Sequence, residues 1–250
     1  MDFEYSEPIA RFYDTIYHSM RDGVDDMYYL DRVMEAQGPV LEIGAGTGRL
    51  FTRALRQGAD IYAIDVSSSM LHILRSKLNE AEHARVSKQN ATNFLIERQF
   101  QLIVAPFRVF SHLETVEEQR KALDTIWSHL KPGGQFIFDL FVPDPRMLAT
   151  GLDRVKDFEG EYQPGEVLRR IVSSQSDCVN QVTHVHFRLE WTEKGEWYSH
   201  DWDFNMRYFY RYELEHLFAR SNFVGCSING DFKGSPLLPS SREFVITANR

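Results

Sequence analysis

The chain has 250 residues, 43% of them apolar and 26% charged, with a formal net charge of −8. That length suffices for one large α/β domain with an insertion, and the acidic balance disfavours a nucleic-acid partner, which wants clustered Lys and Arg. No run approaches the roughly 18 apolar residues of a membrane span, and Cys178 and Cys226 are too few for a disulfide scaffold or zinc knuckle, so they read as reduced thiols of a cytoplasmic protein.

The first residues, Met1 to Glu7, are acidic and lack the basic-then-apolar order of a signal peptide. Ile9, Phe12, Tyr13, Ile16 and Tyr17 are spaced as on one face of a helix, which predicts a helix within 5–20. Its tyrosines either pack it on the domain or close over a ligand as a lid. A second helix follows Asp25-Asp26, whose carboxylates suit an N-terminus. Met27, Leu30 and Met34 are its expected buried stripe, and Gly38 lies past its end.

Residues 39–43 read as a short buried strand, followed by Gly44-Ala45-Gly46-Thr47-Gly48 and a helix to about Arg56. Glycines in that spacing let the backbone turn sharply and approach a ligand, as at the opening of a doubly wound sheet. A dinucleotide fingerprint wants glycine where Arg49 stands, and the Gly-Lys-Ser/Thr of a phosphate loop is missing. Glu42, just before the turn, is placed to meet a cation or an amino group. The second strand, Ile61 to Ile64, ends in Asp65, placed to accept hydrogen bonds from ribose hydroxyls. Ser67 or Ser68 caps the next helix, which carries Met70, Leu71, Leu74 and Leu78. Met70 is either core or a surface for a purine.

A third strand at about Ala84 to Lys88 leads into Gln89-Asn90-Ala91-Thr92, and a fourth, Phe100 to Val104, into Ala105-Pro106-Phe107-Arg108 and on to His112. Thr115 and Glu118 form a capping box for a helix with Ala122, Leu123, Ile126, Trp127 and Leu130 inward. A turn at Lys131-Pro132-Gly133-Gly134 precedes strand five, Gln135 to Phe141. Such alternation predicts a parallel sheet with right-handed crossovers. Beyond Pro145 the period becomes two. Val185, Phe187, Leu189 and Trp191 share one face, as do Tyr198, His200, Trp202, Phe204 and Met206, which predicts an antiparallel, half-exposed sheet over 154–208. A helix from about Tyr210 to Arg220 and a hairpin-like pair of strands near 222–228 and 243–248 end the chain.

Taken in order, these segments resemble the class I S-adenosylmethionine-dependent methyltransferases. The resemblance rests on Leu41-Glu42-Ile43-Gly44-Ala45-Gly46-Thr47-Gly48, on Asp65-Val66-Ser67-Ser68-Ser69-Met70-Leu71, on Asn90-Ala91, on the Pro106-Phe107 exit of strand four, and on Leu130-Lys131-Pro132-Gly133-Gly134. It covers residues 8–142 strongly and the last helix and strands more loosely. It implies a doubly wound, mostly parallel seven-stranded Rossmann-like sheet. The expected organisation is an N-terminal helical lid over 1–37, a cofactor-binding α/β core over 38–153 and 209–250, and the antiparallel insertion over 154–208 as a substrate cover or dimer contact.

The implied cofactor is S-adenosylmethionine. Glu42, Gly44, Ala45, Gly46 and Gly48 would lie along its methionyl part and Asp65 at the ribose. Val66 and Met70 would flank adenine, with Asn90 and Ala91 at its polar edge. The family usually has aspartate where Asn90 stands; an amide oxygen still accepts from an adenine amino group. Pro106 and Phe107 would border the same pocket. The segment Tyr13-Asp14-Thr15-Ile16-Tyr17 and the strand-four exit are similar to those of amino-sugar N-methyltransferases and relatives of glycine N-methyltransferase.

The acceptor is therefore expected to be a small polar metabolite, methylated at an amine nitrogen. Oxygen methylation, a cofactor-binding protein without catalysis and a nicotinamide oxidoreductase are the rivals. A nucleic acid or a membrane is not expected as a partner; a homodimer remains open. His112 is either a general base or a loop histidine, and Tyr13 and Tyr17 either line the cofactor or only pack. Arg108, Asp139, Arg207 and Tyr208 are candidates for substrate contact. His184 and His186 alternate on one strand face without a third ligand, so no metal is expected.

Overall fold

Residues 40–43, Val-Leu-Glu-Ile, are buried on both faces, and strand β1 (Val40–Ile43) accordingly lies in the middle of a sheet. The computed structural model describes residues 4–20 and 23–250; residues 1–3, 21 and 22, which belong to the expected N-terminal lid, lie outside that description. β1 is flanked by β2 (Ile61–Asp65) and β4 (Phe100–Ala105), both parallel to it. β3 (Val86–Lys88) and β5 (Leu130–Phe141) extend the sheet outward in parallel. β11 (Glu243–Asn249) pairs antiparallel with β5 and with β10 (Gly225–Asn229), giving the order β10-β11-β5-β4-β1-β2-β3. The direction of winding reverses between β1 and β4, and the crevice at their carboxyl ends is where ligands of such sheets bind.

Helices cover both faces. Helices α2 (Val24–Glu35), α3 (Arg49–Arg56) and α4 (Ser68–Ser76) bury Tyr29, Leu30, Val33, Leu50, Phe51, Leu71 and Leu74 on one side. On the other, α5 (Val116–His129) and α7 (Arg211–Ala219) bury Leu123, Ile126, Leu214 and Phe218. The caps follow the expected chemistry: the Ser67 hydroxyl accepts from the Met70 amide, and Thr115 and Glu118 form the capping box.

Several details depart from expectation, among them β5, which begins at Leu130 and takes in the predicted turn at 131–134. Met27 and Met34 are exposed, and α2 instead buries Tyr29 and Val33 beside Leu30, because the Tyr29 hydroxyl reaches across the core to Asp139. β3 starts at Val86, since Asn79 caps a 3-10 turn over Glu80–Arg85 that uses up the preceding residues. The short α6 (Pro145–Thr150) precedes the inserted sheet, with Asp144 as its cap and proline at its first position.

The inserted segment forms a four-stranded antiparallel meander: β6 (Leu152–Gln163), β7 (Glu166–Asp177), β8 (Val182–Glu193) and β9 (Glu196–Arg207). Its inner face carries Leu168, Val172, Phe187, Leu189 and Trp191 against Ile9, Phe12 and Ile16 of α1 (Glu7–Met20). The outer face is polar, with His186 between Asp201 and Asp203 and Arg188 on Asp201. Among the described residues no helix is long and apolar enough to cross a membrane.

Candidate active site

The glycine turn between β1 and α3 is shaped by positive φ at Gly44, Gly46 and Gly48. At Gly44 (φ 72°) a Cβ would lie 2.3 Å from Val109 Cγ2, so the turn packs against the strand-four exit. At Gly46 (φ 56°) a Cβ would meet nothing within 4 Å, because the residue opens onto a cavity. The Gly46 amide donates to Asp65 Oδ2 at 2.8 Å and the Ser67 amide to Oδ1 at 2.8 Å, which locks the tip of β2 to the turn. Burial pushes the Asp65 carboxyl up from its ordinary value, against the pull of those amides.

The cavity, partly open to solvent, lies over the turn at the carboxyl ends of the strands. Gly44, Ala45, Gly46, Asp65, Val66, Met70, Asn90, Ala91, Phe107, Tyr13 and His112 all line it. Val66, Met70 and Ala91 share the lining with the Asp65 carboxylate and Gly46, an apolar and hydrogen-bonding set of the kind that could hold an adenosine. Asn90 differs in polarity from the expectation. Its Oδ1 already accepts from the Thr92 amide and hydroxyl, both at 2.9 Å, so the amide NH2 is what it has left to offer a purine edge.

His112 ends a 3-10 turn over Val109–His112. Burial lowers its pKa to about 4, against a hydrogen bond with the Asn205 backbone that by itself would raise it. The imidazole is therefore neutral near pH 7.

The remaining candidates sit outside the cavity lining, each for a visible reason. Gly48 packs on α4, where a Cβ would lie 2.2 Å from Leu74 Cδ1. Glu42 is buried beneath the turn; burial first, then the nearby Asp65 carboxylate, pushes its pKa to about 8, and its Oε2 has no hydrogen-bond partner among the described residues. Pro106 is buried in the chain just before the turn residue Phe107. Tyr17 lies one layer back, its ring 4.4 Å from that of Tyr13. Arg108 is turned away by its positive φ and pairs with Glu243 on β11 at 2.9 Å.

Asp139 accepts from the Tyr29 hydroxyl at 2.6 Å and the Phe107 amide at 2.8 Å, so it braces the strand-four exit from behind. Arg207 pairs with Glu213 of α7 at 2.6 Å, and Tyr208 is buried at the same junction. Among the described residues no group of three or more His, Cys, Asp or Glu side chains is arranged to hold a metal ion.

Sequence reasoning missed other lining residues. Arg49, used above only to exclude a dinucleotide site, lies 3.9 Å over the Phe107 ring and pairs with Asp26 at 2.8 Å. Gln89 and Thr92 flank Asn90 on the wall. Tyr5 also lines the cavity, with its ring stacked 4.8 Å from Trp202 of β9. Glu4 fastens this arm: its carboxylate accepts from the Ser67 hydroxyl and the amides of Ser68 and Ser69 at the N-terminus of α4. Although partial burial pushes the Glu4 carboxyl up, those bonds and Lys88 bring it down to about 2. The acidic opening of the sequence was the one available signal for it.

Residues 40–134 match the family model for a methyltransferase domain. An uncharacterized methyltransferase of Alkaliphilus oremlandii is 30% identical over 189 residues, covering 75% of this chain and 79% of its own. Among solved structures, an S-adenosylmethionine-dependent methyltransferase from Clostridium acetobutylicum matches with a TM-score of 0.76 at 17% identity, over 97% of both chains. An S-adenosylmethionine-bound amino pentose methyltransferase of calicheamicin biosynthesis, from Micromonospora echinaspora, matches with a TM-score of 0.71 at 18% identity, over 100% of this chain and 99% of its own.

Proposed function

The chain belongs to the class I S-adenosylmethionine-dependent methyltransferases, and on that premise we propose that it methylates an amine nitrogen of a small polar metabolite of the amino-sugar kind. The bound cofactor supplies the activated methyl group of a sulfonium. The chain's own residues then have three tasks: Asp65, Val66, Met70, Asn90 and Ala91 hold the nucleoside, the glycine turn and Arg49 the amino-acid end, and Tyr5, Tyr13 and Phe107 keep water out.

The observation that carries the nitrogen reading is His112, a half-buried and neutral imidazole on the cavity wall. With a pKa of about 4 it cannot keep a proton from an alkylammonium, whose pKa lies near ~10 by analogy with lysine. It can accept a hydrogen bond from the N–H of an amine that arrives neutral and so aim its lone pair. An alcohol, by contrast, needs a base strong enough to take its proton during attack. Of the two roles the sequence left open, general base or loop histidine, His112 reads here as neither in full but as an orienting group. The likeness to the amino pentose methyltransferase, which extends through the second sheet, supports the substrate class. Cys178 and Cys226 as free thiols suit a reducing compartment, so a cytoplasmic location goes with this reading.

The test is a panel of amino sugars, amino acids and hydroxylated aromatics assayed for S-adenosylhomocysteine. Amino sugars are expected to turn over, with kcat/KM rising with pH up to the acceptor's own amine pKa. His112→Ala is expected to lower kcat by less than the 10²–10⁴ typical of a lost general base. Turnover confined to hydroxyl acceptors, or a loss of that full size, sinks the reading.

A further inference from the structure

We propose that Arg170, through its ion pair with Asp157, is a positioning residue that fixes Tyr17 and thereby holds Tyr13 against the cofactor cavity. Arg170 stands on the apolar inner face of β7, between Leu168 and Val172, with its side chain 5% exposed. A guanidinium on such a face is costly unless it is paired and hydrogen-bonded.

The backbone is built to pair it. Lys156 registers with Ile171 and Phe158 with Arg170, so Asp157 is an extra residue and β6 bulges there. A regular strand would place Asp157 opposite Arg170 and turn Phe158 outward; the bulge sets both against Arg170. Bulges of this kind re-aim side chains and recur beside active sites. The result is a two-pronged pair, with Arg170 Nε donating to Oδ1 at 3.0 Å and Nη2 to Oδ2 at 2.7 Å.

The rest of the guanidinium faces α1. It lies 5.1 Å from the Tyr17 ring centre and 4.5 Å from that of Phe187, hydrogen-bonds the Tyr17 side chain, and reaches Met20 Sδ at 3.0 Å. Tyr17 is therefore gripped at its face and its polar tip. The Tyr17 ring stands 4.4 Å from Tyr13, and Tyr13 meets the edge of Tyr5 at 6.0 Å. Tyr13 and Tyr5 line the cavity and Tyr17 does not, so Arg170 reaches the cavity through one intervening ring. Stability alone is a poor reason for the pair, because well-packed apolar replacements of buried ion pairs are often neutral or better. What an apolar replacement lacks is direction.

This inference rests on the reading that the cavity holds S-adenosylmethionine, and calorimetry with that compound tests both. Wild type is expected to bind. Arg170→Met and Tyr13→Ala are each expected to weaken binding about tenfold, or ~1.4 kcal/mol, and the double variant no further than Tyr13→Ala alone. Arg170→Lys keeps the charge without the fork and is expected to fall in between; it carries the test if Arg170→Met does not fold, and wild-type affinity in it then overturns the inference. Unchanged affinity in a folded Arg170→Met, or losses that multiply in the double variant, overturn the positioning role alone. A wild type that does not bind overturns the cavity assignment and this inference with it.

Discussion

Two titratable groups near the glycine turn, Glu42 and His112, bind protons in opposite senses, and their signs can be worked out separately. Glu42 has its pKa raised from 4.5 to about 8, so between those values the folded protein holds a proton that the unfolded chain has lost. Its contribution is complete below pH 4.5 and drains away as the pH rises through 8. His112, lowered from 6.5 to about 4, does the reverse: its contribution is complete above pH 6.5 and is lost as the pH falls towards 4. The two slopes oppose between pH 4.5 and 6.5, so Glu42 is isolated between 6.5 and 8. Glu42→Gln is expected to flatten the decline of the cofactor-free melting temperature across that interval, an effect on the order of a few kcal/mol. A decline as steep as wild type's would remove Glu42 as its source. The glycines give a second pair of outcomes. Gly44→Ala forces a methyl into Val109 and is expected to destabilise the fold outright. Gly46→Ala pays only the left-handed backbone strain of roughly 1–2 kcal/mol, yet it puts a methyl over the cavity floor, so cofactor affinity should fall more than stability. Calorimetry beside thermal melts separates them, and equal losses in both would remove Gly46 from the floor.

At the scale of elements, what the sequence made legible is what local chemistry determines. Strands β1, β2 and β4 announce themselves by short, largely apolar runs, the caps of α4 and α5 by Ser67 and the Thr115–Glu118 pair, and the second sheet by its period of two. Gly44, Ala45, Gly46 and Asp65, foreseen in the lining, sit on motifs whose geometry is local: a glycine turn and the acidic tip of a strand. What escaped depends on partners distant in sequence. Helix α2 turns Tyr29 inward because Asp139, 110 residues on, accepts its hydroxyl. Asp139 in turn holds the Phe107 amide, and the positive φ at Phe107 and Arg108 sends Arg108 towards Glu243. Neither event leaves a trace in spacing or propensity. Tyr5 escaped for a similar reason, since the contacts that bring it to the cavity are with Ser67 and Trp202.

For the whole molecule, the decisive asymmetry is at α1, which joins the two sheets by different physics on its two sides. Towards the second sheet it buries Ile9, Phe12 and Ile16 in an apolar cluster, and Ser6 meets His200 at 2.9 Å. Towards the core its contacts are polar: Asp14 accepts from Thr47 Oγ1 and Lys77 Nζ, both at 2.6 Å, while Glu4 lies on the N-terminus of α4 and 3.7 Å from Lys88. The apolar side is insensitive to ionic strength, whereas the charge pairs on the polar side are partly exposed and screened by salt. Helix α1 should therefore stay with the second sheet and part from the core at this polar seam, where Thr47 lines the same cavity as Tyr5 and Tyr13. Raising the salt from about 0.1 M to 1 M shortens the screening length from roughly 10 Å to 3 Å, and is expected to speed release of bound S-adenosylmethionine when it is chased with excess S-adenosylhomocysteine. In Glu4→Gln/Asp14→Asn the release should already be fast in low salt and respond little to more. If the double variant keeps the wild-type salt dependence, the seam is not what governs release.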